Sequence, residues 1–218
     1  MDQVERRWCL VLPVKRLAVA KSRLGSPYDG EVRRELALAF AIDTATAALS
    51  CPQVAAVQVV TDEPEAAVAL AGVGAEVTGD RPDSGLNPAL SHGAFLAAAA
   101  HPGTSVGTLA ADLPALRPAE LSAVLRAGSA YRRSFVRDAE GTGTTVLLAS
   151  TPDELQPMFG PASAARHLAQ GAVELDAAAL PSVRRDVDTA ADLAAALGLG
   201  VGAATDRVLA GVRTSRTG

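Results

Sequence analysis

The two lysines of this chain lie in one short basic segment, PVKRLAVAKSRL. Lys15 and Lys21, together with Arg16 and Arg23, place four cations within nine positions. Ammonium and guanidinium groups bind phosphate oxygens well, so the segment predicts a binding site for a triphosphate, which carries about four negative charges. A solvated basic loop is the alternative interpretation. The segment contains neither GxxxxGKS/T nor GxGxxG, so it supports neither a P-loop nor a dinucleotide-binding loop.

Aspartates in two distant segments are candidate ligands for a divalent cation. In TLAADLPAL an apolar run delivers Asp112 at its end, and Pro114 then turns the chain away. Mg²⁺ prefers oxygen ligands and often takes only one or two carboxylates together with substrate phosphates. The segment RRDVDTAADL supplies Asp186 and Asp188 as further candidates. Asp188 or Thr189 could instead only cap the helix that follows.

Two further segments, GTGTTVLL and FGPASAARH, join glycine to hydroxyl residues near element boundaries. Ser163 follows Gly160 and is predicted to begin a short helix, where it could cap the helix and bind a phosphate at the positive helix end. Thr144 is predicted to enter a strand and could face the same anion. A helix cap and an ordinary strand threonine remain the alternatives for these two residues.

Several classes of function are disfavoured by the sequence. The three histidines have no metal-binding spacing, and no GxSxG, HExxH or partnered catalytic cysteine is present, which argues against nucleophilic hydrolases and zinc proteases. A net charge of -4 and a pI near 5.4 argue against nucleic acid or a membrane as partner. The two cysteines are expected to be buried, and a cytoplasmic location is expected because the apolar stretch from Cys9 to Val14 is too short for a signal peptide.

Apolar periodicity and turn residues predict alternating strands and helices. Predicted strands cover residues 8–14, 54–61, 75–78, 105–110, 134–136, 144–149 and 173–175. Predicted helices cover residues 31–49, 64–71, 88–100, 118–127, 163–170, 189–197 and 205–212. Asn87 is expected to cap the third helix, with Pro88 as its first residue.

This alternation predicts an α/β fold with a mostly parallel sheet and helices on both faces. The chain has no internal repeat and reads as one domain over residues 1–218, with its core at about 8–200 and a polar tail at about 213–218. Ligands of such sheets bind beyond the carboxyl ends of the strands. The loops after the first, fourth and sixth strands are therefore the expected sites of chemistry.

In their order along the chain, PVKRLAVAKSRL, DSGLNPAL, AADLPAL, GTGTTVLL, FGPASAARH and DVDTAADL resemble the 2-phospho-L-lactate / phosphoenolpyruvate guanylyltransferases of coenzyme F-420 biosynthesis. The resemblance extends over roughly residues 8 to 200, and RRSFVRD followed by GTGT is most similar to the actinobacterial phosphoenolpyruvate branch. It implies a single-domain, Rossmann-like nucleotidyltransferase fold of the GT-A-like kind. It also implies that the phosphate of phosphoenolpyruvate attacks the α-phosphorus of GTP, giving enolpyruvoyl-2-diphospho-5'-guanosine and pyrophosphate.

The resemblance also implies roles for individual residues. Asp112 and Asp186 match the aspartates that hold Mg²⁺ in the family, with Asp188 as a helper. The family positions that hold the phosphate and carboxylate of phosphoenolpyruvate correspond to Thr144, Gly160 and Ser163. The LN element that is expected near guanine or ribose corresponds to Leu86 and Asn87.

The two substrates bring together about seven negative charges, so cations must offset them at the reacting phosphorus. Lys15, Lys21 and Arg23 are the predicted cations, and Lys15, Lys21 and Asp112 the predicted catalytic residues. No general base is required, because the attacking phosphate oxygen is already ionised. The alternatives are 2-phospho-L-lactate as acceptor, another small nucleotidyltransferase of the molybdenum-cofactor or sugar-phosphate type, or an inactive GTP-binding regulator. A labile product would favour hand-off to a downstream transferase of F-420 biosynthesis.

Overall fold

The computed structural model describes residues 6–15, 17, 21–25 and 28–215. Its seven strands form one sheet in the order β3-β2-β1-β4-β6-β5-β7. Arg16, one of the predicted phosphate-binding cations, and the end of the predicted polar tail lie outside the described residues. The strands are β1 (Trp8–Pro13), β2 (Val54–Val60), β3 (Glu76–Thr78), β4 (Ser105–Leu109), β5 (Arg133–Arg137), β6 (Thr144–Ala149) and β7 (Val173–Glu174).

The central strands are the most apolar ones. All residues of β4 and β6 are buried, and β1 is buried up to Leu12. Continuous apolar runs of this kind fit strands that are covered on both faces, because each face needs its own apolar side chains. The edge strands β3 and β7 are only three and two residues long, which limits pairing with other chains.

The sheet is mostly parallel, as predicted. The pairs β1 with β2, β1 with β4, β2 with β3, and β5 with β7 are parallel, whereas β6 runs antiparallel to both β4 and β5. The expectation for the loop after the sixth strand was wrong in one respect, since that loop leaves the sheet at the opposite edge. The amino end of β6 instead lies beside the carboxyl end of β4, where the N–H of Ala110 donates to the carbonyl of Thr145 at 2.8 Å.

Helices cover both faces of the sheet, as predicted. On one face α1 and α4 pack against Leu10, Leu12 and Leu148, and on the other α3 and α6 pack against Val11 and Leu147. The helices are α1 (Gly30–Leu49), α2 (Pro64–Gly72), α3 (Leu86–Ala100), α4 (Pro118–Gly128), α5 (Pro152–Leu155), α6 (Ser163–Ala169), α7 (Pro181–Arg184), α8 (Ala190–Leu199) and α9 (Ala203–Ser215), with a 3-10 turn at Ser22–Leu24.

No described helix is by itself long and apolar enough to cross a membrane. The segments Ala190–Leu199 and Ala203–Thr214, bent by 119°, meet the length and composition requirement only when they are taken together. These segments pack against α1 through a third apolar cluster that includes Phe40, Leu193 and Leu209.

Two helix starts, those of α3 and α9, differ from the predictions. Gly85, with a φ of 107°, precedes α3, so Asn87 is not its cap and Pro88 is not its first residue. Asp43 accepts hydrogen bonds from the N–H groups of Ala204 and Thr205 at 2.9 Å, which starts α9 earlier than predicted. Both differences arise from contacts that are remote in sequence.

Candidate active site

A cavity of about 290 Å³ opens at the carboxyl ends of β1 and β4. One wall is apolar and comprises Leu86 and Leu90 of α3 together with Phe159. Its polar side chains are of two kinds, charged (Lys15, Lys21 and Asp112) and hydroxyl (Thr108 and Thr144); we name the cluster around Lys21 the charged end and the cluster around Thr144 the hydroxyl end. Such a cavity, lined mainly by apolar side chains with a few convergent polar groups, is typical of a binding site for a small ligand.

Lys21 lies at the centre of the charged end. Its Nζ donates to Asp112 Oδ2 and, at 2.9 Å, to Asp188 Oδ1. Burial alone would lower the pKa of Lys21, but the charges of Asp112 and then Asp188 outweigh this effect and raise it. The residue has a φ of 55°, in the left-handed region that non-glycine residues rarely adopt. Strain of this kind is common at functional sites, where surrounding contacts maintain it.

The aspartate segment is attached to the strand tip through its backbone. The N–H of Val187 donates to the carbonyl of Asp112 at 3.1 Å, which brings Asp186 and Asp188 to the carboxyl end of β4. Burial, and then the negative charges of Asp112, Asp138 and Asp188, raise the pKa of Asp186 to about 7. This part of the site therefore carries more negative charge than the single ammonium of Lys21 offsets.

Asp188 is available for Lys21 because its neighbour caps the next helix. Thr189 and Asp192 form a capping box at the start of α8, in which each side chain binds the backbone N–H of the other. The alternative that Asp188 is the cap was wrong, whereas the same alternative for Thr189 is confirmed. The Asp188 side chain is 53% exposed and remains free to contact a ligand.

The three predicted aspartates suit Mg²⁺ by chemistry but do not form a preassembled metal site. Among the described residues, no three His, Cys, Asp or Glu side chains are grouped closely enough to hold a metal ion. Asp112 and Asp188 nevertheless converge on one point, the Nζ of Lys21. Two converging carboxylates with excess negative charge around them fit a cation that takes its remaining ligands from substrate phosphates.

The other end of the cavity is a buried hydrogen-bond network around Thr144. Ser163 Oγ donates to Thr144 Oγ1 at 3.2 Å, and His167 Nδ1 lies 3.0 Å from the same oxygen. Ser163 is the first residue of α6 but makes no side-chain cap, so the cap alternative was wrong. The N–H groups of Ser163 and Ala164 donate to the carbonyls of Gly160 and Thr142. The Thr144 hydroxyl, which lines the cavity, is therefore the better candidate for binding an anion here.

Asn87 clamps the loop that leads to this network. Its Oδ1 accepts from the N–H of Phe159 at 2.8 Å, and its Nδ2 donates to the carbonyl of the same residue at 3.2 Å. Asn87 was expected to contact the nucleotide, but both polar atoms of its side chain are used in hydrogen bonds within the protein. Gly160 follows with a φ of 118°, and a Cβ at this position would lie 3.0 Å from Arg166 Nη2. A side chain at position 160 would therefore be strained by both backbone and space.

The remaining predicted residues are distributed around the same cavity. Leu86 and the exposed Lys15 belong to its wall, whereas Arg23 is exposed on the 3-10 turn and does not line it. Sequence reasoning missed the contributions of Phe159, Thr108 and His167. His167 lies four residues after Ser163, on the same side of a helix, and this spacing could have shown that the two act together.

The sequence comparison agrees with this arrangement. The family model described as "Guanylyl transferase CofC like" matches residues 8–215. The chain belongs to the CofC-like guanylyl transferase family. It is 53% identical to a phosphoenolpyruvate guanylyltransferase from Thermomonospora curvata, covering 97% of this chain and 96% of the relative. It is 55% identical to the protein of that name from Streptomyces coelicolor, covering 94% of this chain and 96% of the relative.

Solved structures similar to this CofC-like guanylyl transferase share its fold. A nucleotidyl transferase from Methanothermobacter thermautotroptrophicus has a TM-score of 0.59 at 20% identity, covering 88% of this chain and 97% of that chain. A CMP:2-keto-3-deoxy-manno-octonic acid synthetase complexed with CTP has a TM-score of 0.53 at 15% identity, covering 88% of this chain and 98% of that chain. The predicted nucleotidyltransferase fold is therefore confirmed.

Proposed function

We propose that this protein transfers the guanylyl group of GTP to phosphoenolpyruvate, yielding enolpyruvoyl-2-diphospho-5'-guanosine and pyrophosphate for coenzyme F-420 biosynthesis. The observation that carries the proposal is one cavity whose lining combines an ammonium held between two carboxylates with a buried threonine hydroxyl. The similar proteins from Thermomonospora curvata and Streptomyces coelicolor, which carry the name phosphoenolpyruvate guanylyltransferase, support the choice of substrates.

The charged end suits the phosphates of GTP. A phosphate oxygen of phosphoenolpyruvate forms a bond to the α-phosphorus, and the bond from this phosphorus to the bridging oxygen of pyrophosphate breaks. Lys21 is held near the carboxylates and Lys15 lies on the cavity wall, so both can offset charge on the leaving pyrophosphate. The exposed Arg23 on the adjacent turn adds charge at longer range.

Asp112, Asp186 and Asp188 are the residues that would hold Mg²⁺, and two of them, Asp112 and Asp188, already converge on Lys21 Nζ. When bound there, the ion would neutralise phosphate charge and help to align the reacting oxygens. The protein's own contribution is to hold the carboxylates in place, through the backbone bond between Val187 and Asp112 and through the ammonium of Lys21. A nucleotide with its metal would then compete with Lys21 for these oxygens.

The hydroxyl end suits the acceptor. Thr144, which lines the cavity and accepts a hydrogen bond from Ser163, offers its hydroxyl group to the phosphate or carboxylate of phosphoenolpyruvate, next to the constrained backbone at Gly160. The apolar side chains of Leu86, Leu90 and Phe159 provide a surface for the methylene group. The enzyme is expected to work in the cytoplasm, where both substrates are produced, and to hand its labile product to a downstream transferase.

Pyrophosphate release from GTP and Mg²⁺ tests the proposal, with phosphoenolpyruvate and 2-phospho-L-lactate as alternative acceptors. The acceptor-transferring enzyme and its deazaflavin precursor are included to trap the product. We expect release with phosphoenolpyruvate. Release with only 2-phospho-L-lactate would support guanylyl transfer but overturn phosphoenolpyruvate as the acceptor. GTP binding without pyrophosphate release for any anionic acceptor would indicate a GTP-binding regulator.

A further inference from the structure

His167 is a fully buried imidazole that contacts the candidate acceptor site but does not line the cavity. Its ring lies between two aromatic rings, with centroid distances of 5.9 Å to Phe135 and 5.2 Å to Phe159. Burial, and then the charges of Arg133 and Arg166, lower its pKa to about 4. The ring is therefore neutral at physiological pH and has one donor and one acceptor nitrogen.

The backbone determines which nitrogen is the donor. The N–H of Met158 lies 3.0 Å from Nε2 of His167 and can only donate, so Nε2 must accept. In a neutral ring the proton is then on Nδ1. Nδ1 lies 3.0 Å from Thr144 Oγ1, so His167 donates to the threonine hydroxyl oxygen.

The same oxygen receives a second hydrogen bond. Ser163 Oγ donates to Thr144 Oγ1 at 3.2 Å. A hydroxyl oxygen has two acceptor lone pairs and one proton, so these two bonds use its accepting capacity. The proton of Thr144 must then point away from both His167 and Ser163, and Thr144 lines the cavity.

We propose that His167 is a positioning residue that forces the Thr144 hydroxyl to act as a hydrogen-bond donor toward an anionic oxygen of the acceptor. This inference rests on the proposed function for the identity of the acceptor. It does not make His167 an acid or a base, because the imidazole neither lines the cavity nor changes its protonation. A hydroxyl that is already oriented loses less rotational freedom on binding than one that must reorganise, so the bond to the acceptor is stronger.

Two amide substitutions separate the two hydrogen bonds of His167. In His167→Asn the amide nitrogen takes the place of Nδ1 and can still donate to Thr144. In His167→Gln the amide oxygen reaches the place of Nε2, so it can accept from Met158 while the bond to Thr144 is lost. We expect a KM for phosphoenolpyruvate within about threefold of wild type for Asn and roughly tenfold higher for Gln, the loss typical of one hydrogen bond. The KM for GTP should stay unchanged in both.

A double-mutant cycle tests whether the effect passes through Thr144. Thr144→Val alone should raise the KM for phosphoenolpyruvate, and adding His167→Gln in that background should raise it no further. Equal effects of His167→Gln in both backgrounds, or an equal rise in the KM for GTP, would overturn the proposal. Such results would mean that His167 only supports the packing of α6.

The nitrogen NMR spectrum of the imidazole gives a second test that needs no turnover. The signals of His167 can be assigned by their loss in His167→Asn, since the chain has three histidines. We expect a protonated Nδ1 and an unprotonated Nε2. A protonated Nε2 would overturn the positioning role of His167 even if the enzyme is active. If the protein has the expected tautomer but is inactive with phosphoenolpyruvate, the result would count only against phosphoenolpyruvate as the acceptor.

Discussion

The two ends of the cavity are built on different physical principles. At the charged end, Lys21, Asp112 and Asp188 are partly exposed and are held by opposite charges on loops that follow the strands. At the hydroxyl end, Thr144, Ser163 and His167 are buried and are held by hydrogen bonds between neutral groups. The first arrangement can adjust to a highly charged ligand, whereas the second provides a fixed geometry. Substitutions should therefore affect the two substrates differently.

The largest effect is expected for the carboxylates of the charged end. Asp112→Asn and Asp186→Asn should each lower turnover by at least roughly 100-fold, because loss of a metal ligand removes several kcal/mol of charge stabilisation. Pyrophosphate release measures the loss, and urea unfolding should show that the fold is intact. Asp206→Asn, an exposed change on α9, is the matched control and should leave turnover unchanged. Activity like that of wild type in both variants would exclude these residues from the metal site.

The next effect concerns stability at the hydroxyl end. The pKa of His167 falls from an unfolded value of 6.5 to about 4 in the folded protein, so between these values only the unfolded chain binds the proton. The stabilising contribution is present above pH 6.5 and is lost as the pH falls through 4, by up to roughly 3 kcal/mol.

Urea unfolding of wild type and His167→Asn between pH 7 and pH 4 measures this dependence. The free energy of unfolding of the wild type should fall more steeply with acidification than that of the variant. Parallel curves would mean that the folded protein takes up a proton on His167 as readily as the unfolded chain does, which would contradict a pKa lowered by burial and by Arg133 and Arg166.

A smaller effect is expected for the cation at the charged end. Lys21→Ala should raise the KM for GTP roughly tenfold and the KM for phosphoenolpyruvate less, because the ammonium is expected to contact the nucleotide phosphates. Arg23→Ala removes the same charge from the neighbouring turn but from an exposed side chain, so its effect on GTP should be only a few-fold. An unchanged KM for GTP in Lys21→Ala would contradict the assignment of the phosphates to this end.

The smallest effect is expected for Ser163→Ala. This change removes one of the two hydrogen bonds to Thr144 and should raise the KM for phosphoenolpyruvate about threefold, with the KM for GTP unchanged. Because Ser163 does not cap α6, the melting temperature should change little. A loss of about 1 kcal/mol in stability without a kinetic effect would instead be the behaviour of a helix cap.

Sequence patterns were sufficient for features with local causes. Continuous apolar runs located the central strands, and Asp112 was correctly expected to follow the carboxyl end of β4, where it lines the cavity. The segment DAEGTG was correctly expected to separate β5 from β6. No local pattern indicated that β6 rather than β5 would lie beside β4, because this order is decided by packing of the whole sheet.

Features that depend on distant partners were missed or misread. Asn87 followed by proline has the pattern of a helix cap, yet its side chain binds the backbone of Phe159, 72 residues later. The start of α9 depends on Asp43, which is separated from Thr205 by 162 positions. His167 was set aside because no second metal ligand was spaced to match it, whereas its partners are a hydroxyl and a backbone amide.

The backbone bond between Val187 and Asp112 has a consequence for the synthesis of the protein. During translation the strands β1 to β7 leave the ribosome before Asp186 and Asp188. All strands of the sheet are therefore synthesised while the charged end of the cavity still lacks these two carboxylates. The hydroxyl end, which needs nothing beyond His167, is finished first. The segment that completes the proposed nucleotide site is thus synthesised after the one that completes the proposed acceptor site.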